Sequence, residues 1–118
     1  MNNGQKVAWI AGLLEGEGSF LLVNKHQKTK MFQINLEMTD EDVVSKFRTY
    51  LSNIDIKLTN NITPRDRGIT INGTQTKTIY TCRLNGQHAY KLSKLILPFM
   101  GKRRTQKIKE ILNDKIDI

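Results

Sequence analysis

The stretch IAGLLEGEG, at residues 10–18, decides how this 118-residue chain folds. It completes a segment from Gln5 to Glu15 that is more densely apolar than a surface helix needs, so we expect a helix that is covered on most sides. Gly16 and Gly18 predict where this helix ends, because glycine tolerates the tight backbone of a helix terminus. The chain is therefore predicted to open with a largely buried helix.

The glycines of this helix predict a close approach by another backbone. Gly12 and Gly16 lie one turn apart, and neither carries a side chain that would hold a second helix away. Glycine inside a helix costs about 1 kcal/mol relative to alanine, and helix termination does not account for Gly12. Glu15 and Glu17 come where the helix stops, so we expect a carboxylate at the edge of the element that follows.

The hydrophobic period then changes from that of a helix to that of a strand. Phe32, Ile34, Leu36 and Met38 alternate with polar residues, which is typical of a sheet with one core face and one polar face. Together with the apolar run that follows Ser19, they predict an antiparallel hairpin.

The second half of the chain repeats the order of helix and hairpin. Thr39 is predicted to begin and cap a second helix, since acidic residues follow it and favour the positive end of the helix dipole. The remaining predicted elements are strands at Leu58–Arg67, interrupted at Pro64, and at Lys77–Leu84, then helices around Gln87–Met100 and from about Lys102. This order predicts a single α+β domain over residues 1–118, with helices on one face of an antiparallel sheet.

The charge of the chain points to a polyanionic partner. Lysine and arginine number 19 against 11 acidic residues, which gives a net charge of +8 and an isoelectric point near 9.8, so nucleic acid is the leading candidate. The sequence has no apolar run near the roughly 20 residues that span a bilayer, which argues against a membrane protein. A single cysteine excludes an internal disulfide, and the spacing of His26 and His88 is not that of zinc ligands. No signal for secretion is apparent, so we expect an intracellular protein.

Residues 10–18 resemble the motif that names the LAGLIDADG homing endonucleases. Gly16 replaces the alanine of the motif, a change of similar size. The positions identical to the motif are Ala11, Gly12, Leu13 and Gly18, and the conservative ones are Ile10, Leu14, Glu15 and Glu17. The element order, the Thr39-Asp40 pair before the second helix, and the Pro98-Phe99 pair before a basic cluster also resemble this family. The resemblance implies an αββαββα fold with a saddle-shaped antiparallel sheet.

The resemblance also implies a site-specific endonuclease that cuts both strands of DNA and serves the mobility of an intron or a similar element. In that family the last acid of the motif and a neighbouring backbone carbonyl bind a divalent metal, which here implies Glu17 and the Gly16 carbonyl. Oxygen ligands suit Mg²⁺, with Mn²⁺ also plausible and Ca²⁺ as a non-catalytic substitute. A polar residue and a basic residue near the metal correspond to Asp40 and to Lys102 or Arg103, of which we favour Lys102.

A single motif implies a homodimer, because the family pairs two motif helices. The implied interface residues are Ala8, Ala11, Gly12, Glu15 and Gly16. Each subunit would read one half of a near-palindrome of roughly twenty base pairs, since a strand of about ten residues spans about one turn of DNA.

The polar face of the sheet supplies the residue types that bind DNA bases and phosphates. The candidates for the groove are Lys25, Gln27, Gln33, Asn35, Glu37, Arg65, Arg67, Thr81 and Arg83, and those for phosphates are Lys28, Lys30 and Lys77. A different function is open to the same fold and charge, namely an intron maturase that binds RNA, or a protein that binds DNA without cutting it. The acid at Glu17 favours cleavage.

Overall fold

The computed structural model describes residues 1–26, 29–65 and 77–113, without the side chains of residues 25, 26 and 29. This part of the chain forms four α-helices and four strands. In chain order they are α1 (Asn3–Glu17), β1 (Gly18–His26), β2 (Thr29–Met38), α2 (Glu41–Asn53), β3 (Thr63–Arg65), β4 (Ile79–Asn85), α3 (Gln87–Ile96) and α4 (Lys102–Asn113), with a 3₁₀ turn at Leu97–Phe99 between the last two helices.

Helix α1 is longer at both ends than the apolar pattern predicts. Its first turn is capped reciprocally: the Gln5 backbone N–H donates to the Asn2 side chain at 2.8 Å, and the Asn2 backbone N–H donates to the Gln5 side chain at 2.9 Å. At the other end, Gly16 and Glu17 are still helical, and Gly18 takes an extended backbone and begins β1. The helix therefore passes into the sheet without a connecting loop.

The strands form one antiparallel sheet in the order β1-β2-β4-β3. Across the three longer strands, the register aligns Phe20 with Ile34 and Leu84, and these side chains are buried on the face that the helices cover. The helices contribute the other half of the core, which includes Leu14, Phe47, Leu51, Leu92 and Ile108. The predicted α+β fold and its antiparallel sheet are confirmed.

Several predicted boundaries are wrong. Helix α2 begins at Glu41, two residues after Thr39, and its N-cap residue Asp40 makes no side-chain capping hydrogen bond. Of the strand predicted at Leu58–Arg67, the structure has only Thr63–Arg65, with residues 66–76 outside the described part. Pro64 does not interrupt this strand, because an edge strand tolerates a residue without an N–H group.

The ends of the last elements also differ from the prediction. Strand β4 begins at Ile79 rather than Lys77, and the helix predicted to reach Met100 ends at Ile96. Pro98 lies in the 3₁₀ turn that follows, where its missing N–H favours the end of the α-helix. In the described part of the chain, no helix combines the length and the hydrophobicity that a membrane crossing requires.

The thiol of Cys82 is buried in the core beneath the sheet. Burial raises its pKa from 9.0 to about 11, and the positive charge of Arg48 offsets part of that effect. The thiol therefore stays protonated in the folded protein at any pH near neutral.

The raised pKa predicts a loss of stability in alkali. Between pH 9 and pH 11 the unfolded chain releases the thiol proton while the folded chain keeps it, so the free energy of unfolding should fall by up to about 2 kcal/mol over this range. Urea unfolding at a series of pH values measures this loss. Cys82→Ala should have a shallower dependence over the same interval, and equal slopes in the two proteins would contradict the assignment.

Candidate nucleic-acid interface and active site

Glu17 lies at the rim where the helical layer meets the polar face of the sheet. It is the last residue of α1 and is exposed. It lines an open depression of about 370 Å³ together with Glu37 and Ile79 of the polar face, and with Asp40 at the start of α2. The structure thus brings together two of the predicted catalytic residues, Glu17 and Asp40.

This depression is electrostatically suited to a cation. Among the described residues, three carboxylates line it, those of Glu17, Glu37 and Asp40, and no lysine or arginine does. Glu17 also lies at the negative end of the α1 dipole, where a carboxylate is unfavourable. Arg65 is 3.8 Å from the Glu37 carboxylate, but both side chains are largely exposed and such a pair contributes little. A divalent cation would relieve this concentration of negative charge.

The donor atoms available near Glu17 are oxygens. Its carboxylate and the carbonyl of Gly16, in the last turn of the helix, are hard ligands of the kind that Mg²⁺ prefers. Among the described residues, no three His, Cys, Asp or Glu side chains are grouped so that they could hold a metal. One subunit therefore offers a partial ligand set, which suits an ion that also binds water and phosphate oxygens.

Glu15 has a different role from Glu17, although only one residue separates them. Its carboxylate accepts a hydrogen bond from the Gly101 backbone N–H at 2.9 Å and lies 3.9 Å from Arg104 Nε. A Cβ at position 101 would overlap Oε1 of Glu15, so a larger residue there would displace the end of that flexible side chain from its hydrogen bond. Glu15 thus ties the start of α4 to the end of α1 within one chain, a contact that the sequence did not predict.

This tie locates the two basic candidates. Lys102 and Arg103 occupy the first turn of α4, directly after Gly101, and both are exposed. Lys102 lines a separate depression with Met100 and other residues of α4, not the one that contains Glu17. The structure therefore places Lys102 near the end of α1 but does not bring it into the Glu17 depression.

The polar face of the sheet, which lies opposite the helices and is called the outer face below, carries most of the predicted groove residues. Gln33, Asn35, Glu37, Arg65 and Arg83 all lie on it by strand register. Thr81 lies on the same face but is only 8% exposed, so it offers little surface to a ligand. The Asn35 side-chain oxygen is buried and accepts no hydrogen bond within the described residues. An additional hydrogen-bond donor would pair with this oxygen.

The other predicted contacts lie at the margins of the described structure. Lys30 is exposed in β2, and Lys77 is exposed just before β4. Lys25 is in β1, with a side chain outside the described set, and Gln27, Lys28 and Arg67 lie outside the described residues altogether.

Two asparagines of the outer face were missed by the sequence analysis. Asn85 ends β4 and pairs with Gln33, whose side chain donates to it at 2.9 Å. Asn60 donates to the Arg83 carbonyl at 3.2 Å and lines an outer-face groove of about 310 Å³ with Asn85 and Arg65. The alternation of β4 could have identified Asn85, because it has the parity of Arg83. No local signal marks Asn60.

One face of α1 is open. Ala8, Gly12 and Gly16 are exposed along it, and a Cβ at either glycine would meet no atom of the described residues within 4 Å, apart from the backbone of the helix itself. The prediction that Ala11 lies at the dimer interface is wrong, because Ala11 is fully buried in the core of its own chain. Glu15 is likewise engaged within the chain, through Gly101 and Arg104.

Comparisons with known proteins give one partial sequence relative and one structural neighbour. No protein-family model matches the chain. Uncharacterized protein MJ0314 of Methanocaldococcus jannaschii is 37% identical over 60 residues, which cover 51% of this chain and 21% of that protein. The matched region thus spans about a fifth of the relative.

A solved structure resembles nearly the whole chain. It is a Glu-to-Ala variant of I-DmoI in complex with its target DNA and in the presence of manganese, with a TM-score of 0.52 and 12% identity over 94% of this chain and 60% of that one. I-DmoI is a LAGLIDADG homing endonuclease. The two proteins share a fold. At 12% identity the similarity shows the fold alone and assigns neither an activity to the chain nor a role to individual residues.

The tie between α1 and α4 predicts coupled effects of substitution. Glu15→Ala removes the acceptor and Gly101→Ala displaces it, so each should lower the free energy of unfolding by about 1 to 2 kcal/mol. The double variant should cost much less than the sum of the two, since both break the same contact. Urea unfolding of the four proteins measures the coupling, and simple additivity would show that the contact contributes nothing.

Proposed function

We propose that this domain is a site-specific endonuclease that cuts both strands of DNA as a homodimer, with the help of divalent metal ions, and serves the mobility of an intron or a similar element. The observation that carries this proposal is the position of Glu17, exposed where the end of α1 reaches the outer face of the sheet. There a carboxylate can meet a phosphodiester of DNA bound on that face.

The outer face supports duplex DNA as the substrate. Arginine, asparagine and glutamine side chains project from adjacent strands, and these are the residue types that bind base edges in the major groove. The net charge of +8 favours attraction to the phosphates, which position the protein without specifying a sequence. The fold shared with a DNA-bound endonuclease agrees with this substrate.

The residues around Glu17 fit a role in phosphodiester hydrolysis. The Glu17 carboxylate and the Gly16 carbonyl would hold Mg²⁺, and Mn²⁺ suits the same oxygen ligands. Such an ion supplies an activated water and stabilises the leaving 3′ oxygen. Asp40, in the same depression, would orient a water by accepting its hydrogen bond. Lys102 or Arg103 would stabilise the negative charge of the phosphate from the start of α4.

The open face of α1 supports a symmetric dimer. A two-fold axis beside Ala8, Gly12 and Gly16 would let two helices approach closely, because none of these positions carries a bulky side chain. The same axis would bring two copies of Glu17 to opposite strands of the duplex. Each subunit would then read one half-site, and the partial ligand set of one chain would be completed by the second copy and by DNA.

Glu17→Gln should separate binding from cleavage. Loss of the carboxylate should abolish cutting in Mg²⁺, while affinity for a selected DNA site, measured in Ca²⁺, should change less than about threefold because the outer face is intact. In the absence of divalent ions the variant should unfold at a slightly higher temperature. The substitution removes a negative charge from the negative end of the α1 dipole, and that unfavourable interaction costs about 0.5 kcal/mol.

The control is Glu41→Gln, which removes an exposed acid from the first turn of α2. It should cut as well as the unchanged protein. A Glu17→Gln protein that still cuts would remove Glu17 from the mechanism. An unchanged protein that binds nucleic acid but cuts no DNA in Mg²⁺ would favour the non-cleaving or RNA-binding alternative.

Gly12→Leu should disrupt the dimer. A leucine at the centre of the open face separates the helices, so sedimentation should change from a dimer to a monomer and cleavage should fall at least about tenfold. Ser45→Leu, which adds the same side chain on the exposed surface of α2, is the matched control and should leave the dimer intact. An unchanged protein that is a monomer both in solution and on DNA would contradict this assembly.

A further inference from the structure

We propose that Asn85, Gln33 and Leu21 act as one unit that reads an A·T base pair, with adenine facing the two amides and the thymine methyl facing Leu21. This inference rests on the proposed function, because it names what one row of the outer face recognises. It assigns specificity to Asn85 and Leu21, which the sequence analysis did not include.

The three residues lie in register across three strands. Leu21 of β1 is opposite Gln33 of β2, which is opposite Asn85 of β4. Neighbouring strands are about 4.8 Å apart, so the row spans about 10 Å, comparable with the major groove width of about 12 Å. Strands that follow the groove would place such a row across a single base pair.

The two amides are held as a pair. The Gln33 amide nitrogen donates to the Asn85 side-chain oxygen at 2.9 Å. The backbone keeps Asn85 in place at the end of β4, because the next residue, Gly86, turns the chain with φ +59° and donates its N–H to the Phe32 carbonyl at 2.8 Å. The strand therefore ends beside Gln33 in a defined geometry.

The hydrogen bond between the amides leaves one side-chain oxygen and one amino group without a partner. The Gln33 oxygen and the Asn85 amide nitrogen bond no other group among the described residues. If both amides were rotated by half a turn, the bond would run the other way and would again leave one donor and one acceptor. Such a rotation would exchange the two groups along the row, and in the structure the free oxygen is on Gln33, beside Leu21, and the free amino group is on Asn85.

Among the bases, this pattern matches the major-groove edge of adenine. Adenine presents the N7 acceptor beside the N6 amino donor, whereas guanine presents two acceptors, cytosine a donor, and thymine an acceptor and a methyl group. Only adenine satisfies both free groups of the amide pair with one base.

Leu21 completes the row with an apolar surface. It is 38% exposed, on the face of the sheet opposite the core. Its neighbours on the same face of the hairpin, Val23 and Met31, are half-buried apolar residues. The thymine methyl lies at the end of the A·T edge away from adenine N7, as Leu21 lies at the end of the row away from Asn85.

The test is selection of bound sequences from a randomised DNA pool in Ca²⁺, with the unchanged protein and two isosteric variants. The unchanged protein should select A·T at one position of each half-site. Asn85→Asp and Gln33→Glu each replace the donor by an acceptor and should lower the preference for adenine there by at least about tenfold, as expected for a bidentate contact. Other positions should change little, since successive outer-face residues of a strand are about two base pairs apart.

Asn53→Asp is the control for the added charge. Asn53 is on α2, where its side-chain oxygen accepts from Lys6, and the substitution keeps that acceptor far from the sheet face. It should leave the selected sequence unchanged.

The contact to thymine is tested separately by DNA that carries uracil at the identified position. Loss of the methyl should weaken binding of the unchanged protein by about threefold or more and should not affect Leu21→Ala.

The possible results separate a failure of this base-pair assignment from a failure of the proposed endonuclease function. If the unchanged protein selects a site and both amide variants select the same base at every position, the row is not a reading unit, although the protein remains a site-specific DNA-binding protein. Equal weakening by uracil in the unchanged protein and in Leu21→Ala would remove Leu21 from the unit. If the unchanged protein selects no sequence, the proposed function fails and this inference fails with it.

Discussion

The direct passage of α1 into β1 at Gly18 is the constraint on which the rest of the structure depends. Because no loop separates the two elements, the last turn of the helix fixes where the first strand begins and which of its side chains are buried. Gly18 pairs with Leu36, which pairs with Cys82, so three strands enter the core in one register. A shift of one residue would turn every side chain of β1 to the opposite face. The polar outer face thus follows from the position of a helix end.

The same helix end also directs two acidic side chains, Glu15 and Glu17, towards different surfaces. Residues two apart on a helix point about 200° away from each other, so Glu15 and Glu17 cannot serve the same surface. Glu15 turns towards α4 and binds Gly101, while Glu17 turns towards the rim of the sheet. One acid holds the basic first turn of α4 near the end of α1, and the other remains exposed at the rim. Both lie at the end of a helix dipole where an acid is unfavourable, and of the two only Glu15 forms an ion pair with an arginine among the described residues.

The sequence predicted well those features that repeat with a regular period. The strict alternation from Phe32 to Met38 identified both the strand and its outer face, because side-chain direction alternates by geometry alone. Glu17 was selected from the motif as a candidate, and its exposure depends on the helix ending at Gly18 and not at Gly16. Boundaries were predicted less well. Thr39 has the chemistry of a helix cap, but the structure uses Asp40 at that position without a capping bond, so local preference did not decide the helix start.

Features that depend on tertiary contacts could not be predicted from sequence. Glu15 was interpreted as an interface residue because it lies in the motif, but its partner Gly101 is 86 positions away and no local pattern links them. Ala11 was predicted at the dimer interface, although its position on the helix turns it into the core. The role proposed for Asn85 depends on its hydrogen bond with Gln33 across the sheet. The sequence alone does not indicate this role, because a lone asparagine at a strand end is usually a turn residue. A ligand bound on a sheet contacts side chains that lie next to one another on neighbouring strands. The sequence shows which residues follow one another along a strand, but not which residues are paired across strands. The residues that specify a ligand on such a face are therefore found from the register, after the residues that build the face are known.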